Sequence, residues 1–408
     1  MENNYEYKLP SKDMSLFNED ENYTYKIKWT KNYFEDFASM SESYYKCATA
    51  VLTFAQSDLS ISQNKDMVPL AGFFLARNSL ELALKALILR NCNKKELPDI
   101  GKTHGLQQLF NDCLKQGELF ALSSSEKDWL KSFLGSIDTY DNQSDLFRFP
   151  FKKCFLNEYH NEFLDTEIIF ECIIQAYSIL KKCINKNSDI QDFTFDSTLP
   201  RTLFVKACDG RTALYIWQEP SYEVTYDDTG RHISAIGATP SGGFFVKIKG
   251  YKATCLNLFS NDLPLSEKFF PLMYSLRILL ELCLKHICME YNREFHQLAN
   301  EKCGHKLKKM WYNVKEISAN LNSDHISQED SITNKECERL INEIIKIDPD
   351  GNSFRYPVTN KLQYFNDGKS YSLKNYFECT MSIVNLAECM DCQMQAILST
   401  PSPSPTLC

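Results

Sequence analysis

Two apolar stretches of this chain carry the same line of charges. The segment ARNSLELALKALIL begins at Ala76 and LRILLELCLKHICM begins at Leu276, so Arg77, Glu81 and Lys85 return as Arg277, Glu281 and Lys285. The i, i+4, i+8 spacing sets each triplet on one face of a helix. Around the second triplet nearly every residue from Phe269 to Met289 is apolar, so most of that helix must be buried. Charges on such a helix need partners or a wet cleft, because unpaired burial is prohibitive.

The echo continues along the chain. His104, Leu106, Leu109 and Phe110 answer to His305, Leu307, Met310 and Trp311. Ile137-Asp138 matches Ile347-Asp348, and FRFP around Arg148 matches FRYP around Arg355. The last block aligns Phe170-Glu171-Cys172 with Phe377-Glu378-Cys379. The offsets run 200, 201, 210, 207 and 207, so only loop lengths differ. Five blocks in one order at near-constant spacing read as an internal duplication.

Each copy reads as four or five antiparallel helices, which fits a bundle. Residues 34–57 and 67–92 are apolar at helical spacing, and a Ser-Ser-Ser-Glu run before Lys127 supplies an N-cap. Between the copies, TLFVKACD, TALYIWQE, YEVTYDD, HISAIGA and GFFVKIKGYKATCLNLF are rich in β-branched and aromatic residues and are split by turn signals. The expected fold class is therefore mainly α: two duplicated helical bundles with a small antiparallel β-rich segment between them. The expected boundaries are an N-terminal tail at 1–30, copy one at 31–188, the β-rich insert at 196–261, copy two at 262–398 and a disordered Pro/Ser tail at 399–408.

Composition narrows the function classes. A net charge of −8 over 408 residues argues against a chain coated in nucleic acid. The first residues show no secretory signal, so the 16 cysteines read as reduced thiols in a cytoplasmic protein. Cys389-x-x-Cys392 has no second pair to complete zinc coordination, and no metal or cofactor is expected. Phe269–Met289 has the length of a membrane span but carries Arg277, Glu281, Lys285 and His286, so no membrane is expected.

The partners for the charged stripe are the other recurring polar residues: His104, Asp138 and Arg148, or His305, Asp348 and Arg355. Two readings stay open. Arg77, Glu81, Lys85, Arg277, Glu281 and Lys285 either close into structural ion pairs or line a polar ligand-facing cleft. Each FRFP or FRYP arginine is flanked by aromatics that hold its guanidinium in a fixed direction, which suits a phosphate or a bridge to Glu81 or Glu281. His104 and His305 each precede a helix, where an imidazole serves as general acid/base or as a cap. Lys306, Lys308 and Lys309 add a local basic patch beside His305.

The combination R-x-x-x-E-L-x-L-K, G-H-x-L-x-x-x-W and I-D-x-D-G-x-S-F-R-Y-P resembles a group of bacterial proteins related to HEPN helical domains. Its carriers run from Arg277 to Lys285, then Gly304, His305, Leu307 and Trp311, then Ile347 to Pro357. The resemblance implies up-and-down bundles that pair, here as a pseudo-dimer within one chain. It implies a role with RNA or nucleotides, as in phage defence or stress, or else a scaffold or accessory subunit with a protein partner or a homodimer. DNA is not an expected partner. The nuclease members place a His four to six residues after an Arg on one helix, and none of the seven histidines here completes that motif. Metal-independent RNA cleavage would then fall to His305, Arg355, His104 and Arg148, and a non-catalytic module is the alternative.

Overall fold

A computed structural model describes residues 6–57, 62–91, 102–145, 147–149, 163–186, 193–202, 213–215, 225–226, 232–233, 240–291, 304–321 and 328–399. The protein is mainly helical. Ten helices stand among the described residues: α1 Tyr33–Gln56, α2 Ser62–Leu89, α3 Leu106–Lys115, α4 Ser124–Asp141, α5 Thr166–Asn185, α6 Pro240–Ser260, α7 Leu265–Tyr291, α8 Leu307–Leu321, α9 Gln328–Ile347 and α10 Leu373–Ser399. Local chemistry sets several of their starts. Asn32 accepts from the Phe34 amide at α1, and Asp165 accepts from Glu167 and Ile168 at α5. Ser123 and Glu126 close a capping box on α4, as the serine run predicts.

The first five helices and the second five correspond in order. The expected β-rich character of residues 196–261 is corrected at its end, because α6 lies within that span. The composition of GFFVKIKGYKATCLNLF favours strands, but Phe244, Lys247, Ile248, Tyr251, Cys255 and Leu258 are buried at helical spacing. They pair with α1 at a constant separation of 207: Phe37 with Phe244, Tyr44 with Tyr251, Val51 with Leu258. Among the described residues, strand structure in the insert comprises β2 Ala213–Tyr215, β3 Thr225–Tyr226 and β4 His232–Ile233, with β1 Phe163–Asp165 antiparallel to β2 and β3 antiparallel to β4. Most other insert residues before α6 and the tail from residue 400 lie outside the described residues.

The chain forms two compact units. One comprises Met1–Thr24, Leu276–Gly351 and Tyr371–Cys408; the other comprises Tyr25–Ser275 and Asn352–Ser370. The expected N-terminal tail contributes to both. In the first unit the Leu16 side chain is buried and its amide donates to Glu343, while Arg339 donates to the Ser11 and Met14 carbonyls. In the second unit Ile27 is buried and exchanges backbone hydrogen bonds with Gly368 and Lys369. Low apolar content hid these anchors, which act through backbone and single side chains.

Within the larger unit the two arginine-bearing loops are exchanged. Tyr44 of α1 donates to the Phe354 carbonyl at 2.9 Å, and Tyr251 of α6 donates to the Phe147 carbonyl at 3.4 Å. Those tyrosines and those phenylalanines are both counterparts at 207 positions. Phe74 of α2 stacks on its own counterpart, Tyr274, with centroids 5.4 Å apart. Each loop thus docks on the first helix of the opposite copy.

Gly250 fits this packing through its missing side chain. A Cβ there would lie 2.2 Å from the Met67 carbonyl oxygen of α2. Gly250→Ala, which would normally favour a helix, is expected to destabilise by roughly 1–3 kcal/mol through overpacking. Thermal melting checks this, and an unchanged or raised Tm would count against the close α2–α6 contact.

Candidate functional site

Glu81 lies in the C-terminal half of α2, fully buried, and its two carboxylate oxygens gather five donors. Oε2 accepts from Arg77 Nη1 at 2.7 Å and from Arg355 Nη2 at 3.5 Å. Oε1 accepts from Lys85 Nζ at 2.7 Å, from the Tyr356 hydroxyl at 2.7 Å and from His104 Nδ1 at 3.0 Å. Arg77 also donates to the His104 carbonyl at 2.6 Å and the Asp141 carbonyl at 3.1 Å, and its Nε lies 3.1 Å from Asp141 Oδ2. The stripe is thus a network that joins α2, the turn before α3, the end of α4 and the FRYP loop.

The second copy repeats it. Arg277 Nη1 lies 3.1 Å from Glu281 Oε2, and its Nη2 donates to the His305 carbonyl at 2.6 Å. Glu281 Oε1 lies 2.7 Å from Lys285 Nζ and 2.8 Å from His305 Nδ1, with Asp348 Oδ2 3.9 Å from Arg277 Nε. Gly351, at φ +72°, turns beside the Arg277 guanidinium.

One expected pairing is corrected. Asp138 is not the counterpart of Asp348: it caps α3 by accepting from the Leu106 and Gln107 amides. Asp141 takes the place beside Arg77. Asp141 and Asp348 are 207 positions apart, like Arg148 and Arg355, so the corrected match is also the more regular one.

Burial pushes the Glu81 carboxyl up, but Lys85, His104 and Arg355 outweigh it and hold it well below the ordinary range. Glu281 is held down against burial in the same way by Lys285, His305 and Arg277. Burial lowers His104 despite its bond to Glu81, which favours the neutral imidazole.

The arginines assigned to phosphate capture are buried and paired. Arg355 donates to Asn78 Oδ1 at 3.1 Å and to the Ser144 hydroxyl at 2.8 Å, besides its contact with Glu81. Arg148 donates to the Ser144 carbonyl at 2.6 Å, the Tyr274 hydroxyl at 3.0 Å and Asp145 at 2.6 Å. Ser144, at φ 61°, thereby serves both guanidiniums from a backbone conformation that few side chains favour. The histidines differ in access: the His104 side chain is 21% exposed and the His305 side chain 47%. Asn78, Ser144 and Asp141 are not singled out by the sequence, which marks Tyr356 only as an aromatic flanking Arg355. Only Asp141 had a detectable signal, its spacing.

Among the described residues no group of three or more His, Cys, Asp and Glu side chains could hold a metal ion. Met67–Leu89 of α2 is long and apolar enough to cross a membrane, but 94% of that window is buried inside the protein. Compared with known proteins, the chain matches no family model, no curated protein and no solved structure.

A carboxylate lowered by folding contributes stability above its unfolded value of about 4.3 and loses it as pH falls towards the folded value. Stability should therefore hold from neutral pH to about 5 and decline below about 4. Glu81→Gln should cost roughly 3–5 kcal/mol at neutral pH, because it strips the counter-charge from buried cations, and should flatten that acid limb. Urea unfolding across pH measures both; a variant as stable as the parent would refute the network.

Proposed function

We propose that the protein is a helical binding module directed at RNA or nucleotide ligands, whose arginine seam locks the fold and does not cleave. The observation that carries this reading is the closure of the seam. Arg77, Arg148, Arg277 and Arg355 are all buried and directed at carboxylates, carbonyls and hydroxyls of the protein itself. A phosphate would have to displace those partners, and each vacated group would bear its full desolvation cost. What reaches the surface is different. His305 is held by a buried carboxylate, and Lys306, Lys308 and Lys309 are exposed beside it.

The second reading, an assembly or accessory subunit without such a ligand, is favoured by the same closed seam. It parts from the first over the exposed basic residues, which it leaves without a task. The negative overall charge makes any polyanion binding a local and salt-sensitive matter.

Purified protein incubated with labelled single-stranded RNA at low salt is expected to bind it, to release it as salt rises, and to leave it intact. Arg355→Ala is expected to lose roughly 3–5 kcal/mol of stability while the folded fraction keeps its affinity. RNA cleavage by the parent, abolished in Arg355→Ala below its melting temperature, would overturn the binding-only reading.

A further inference from the structure

The two copies keep the same buried triad but differ in what covers its histidine. In copy one the Tyr356 hydroxyl sits 2.7 Å from Glu81 and 3.2 Å from His104 Nδ1, with its ring 4.5 Å from Lys85 Nζ. The position that corresponds to Tyr356 in the other arginine loop is Phe149, which has no hydroxyl to offer. His305 is more than twice as exposed as His104. The helices that follow diverge in the same sense: α3 presents Gln107 and Gln108 where α8 presents Lys308 and Lys309.

Lys308, Lys309 and Tyr312 are spaced so that they share one exposed face of the first turns of α8. Tyr312 is 57% exposed, unusual for an aromatic residue on a helix whose Trp311 and Val314 are buried. Glu316, one turn on, raises the pKa of the Tyr312 hydroxyl and is the one carboxylate among Lys306, Lys308, Lys309, Tyr312 and Glu316, which leaves a formal excess of positive charge. From His305 to Tyr312 the axial reach is about 10 Å, the span of one or two nucleotides. Cations for phosphate beside an exposed aromatic face for a base are the two elements of sequence-tolerant single-strand recognition.

We infer that the second copy alone carries a nucleotide-unit site, formed by Lys306, Lys308 and Lys309 for phosphate and Tyr312 for base stacking, with His305 at its foot oriented by Glu281. The first copy is its closed counterpart, sealed by Tyr356. This inference rests on the RNA- or nucleotide-directed reading above, and the ligand is either a free nucleotide or a unit of a single strand.

Fluorescence anisotropy on the full-length protein, with a labelled oligouridylate and separately with labelled ATP, tests it. Changing Lys306, Lys308 and Lys309 together to Ala should weaken binding at least about tenfold and reduce the salt slope by about 2. Tyr312→Ala should weaken it about tenfold, and Lys115→Ala, an exposed lysine on α3, should leave it unchanged. Loss in the oligouridylate arm identifies a strand site, and loss in the ATP arm alone identifies a nucleotide site. Binding by the parent that none of these variants changes would overturn this site and leave the broader reading standing. A parent that binds neither probe would overturn both.

Discussion

A single buried carboxylate sets the terms for the larger unit. Glu81 has no exposure, so its charge survives only because every lone-pair direction meets a donor. Those donors come from its own helix one turn either side, from the turn before α3 and from a loop some 270 positions further along the chain. Such a cluster is a poor source of net stability compared with a well-packed apolar core. Its value is selective. A shift of α2 by one turn, or a loop docked one residue out of place, would strand a charge in the interior.

The exchange of loops follows from the same constraint. An arginine in the FRYP loop finds its carboxylate in copy one, and the aromatic residues on either side hold the loop in position. The reciprocal bonds from Tyr44 and Tyr251 tie each loop to the first helix of the other set. Phe74 and Tyr274 then meet at the centre of the arrangement, with Arg148 and Arg355 each within 5.7 Å of the Phe74 ring. Completion of the core in this unit therefore requires both sets of helices, which favours cooperative folding over stepwise assembly.

The sequence disclosed whatever depends on short-range spacing. The i, i+4, i+8 triplets, the helical class and the capping serine could be read because they are periodic or local. The failures have equally physical causes. Ile137-Asp138 resembled Ile347-Asp348 as letters, but a cap on α3 and a counter-ion for Arg77 are different tasks, and geometry assigned the second to Asp141. Residues 240–260 have strand-like composition, yet their buried positions follow a helix that fits because Gly250 allows close approach to α2. No local pattern could have revealed that Tyr356 seals the first triad, since that contact spans 275 positions and depends on how the loops are exchanged.

A repeated charged triad also makes divergence simple to arrange. The buried part of each copy is held fixed, because a change at Arg77, Glu81 or Lys85, or at its equivalent, leaves an uncompensated charge. The rim is under no such constraint. On the exposed surface of the next helix, exchanging glutamine for lysine changes the charge around the imidazole. Two copies can therefore share a scaffold while one keeps its histidine closed and the other leaves it half exposed. The asymmetry lies where substitution costs least, at the surface end of a network whose buried end cannot vary.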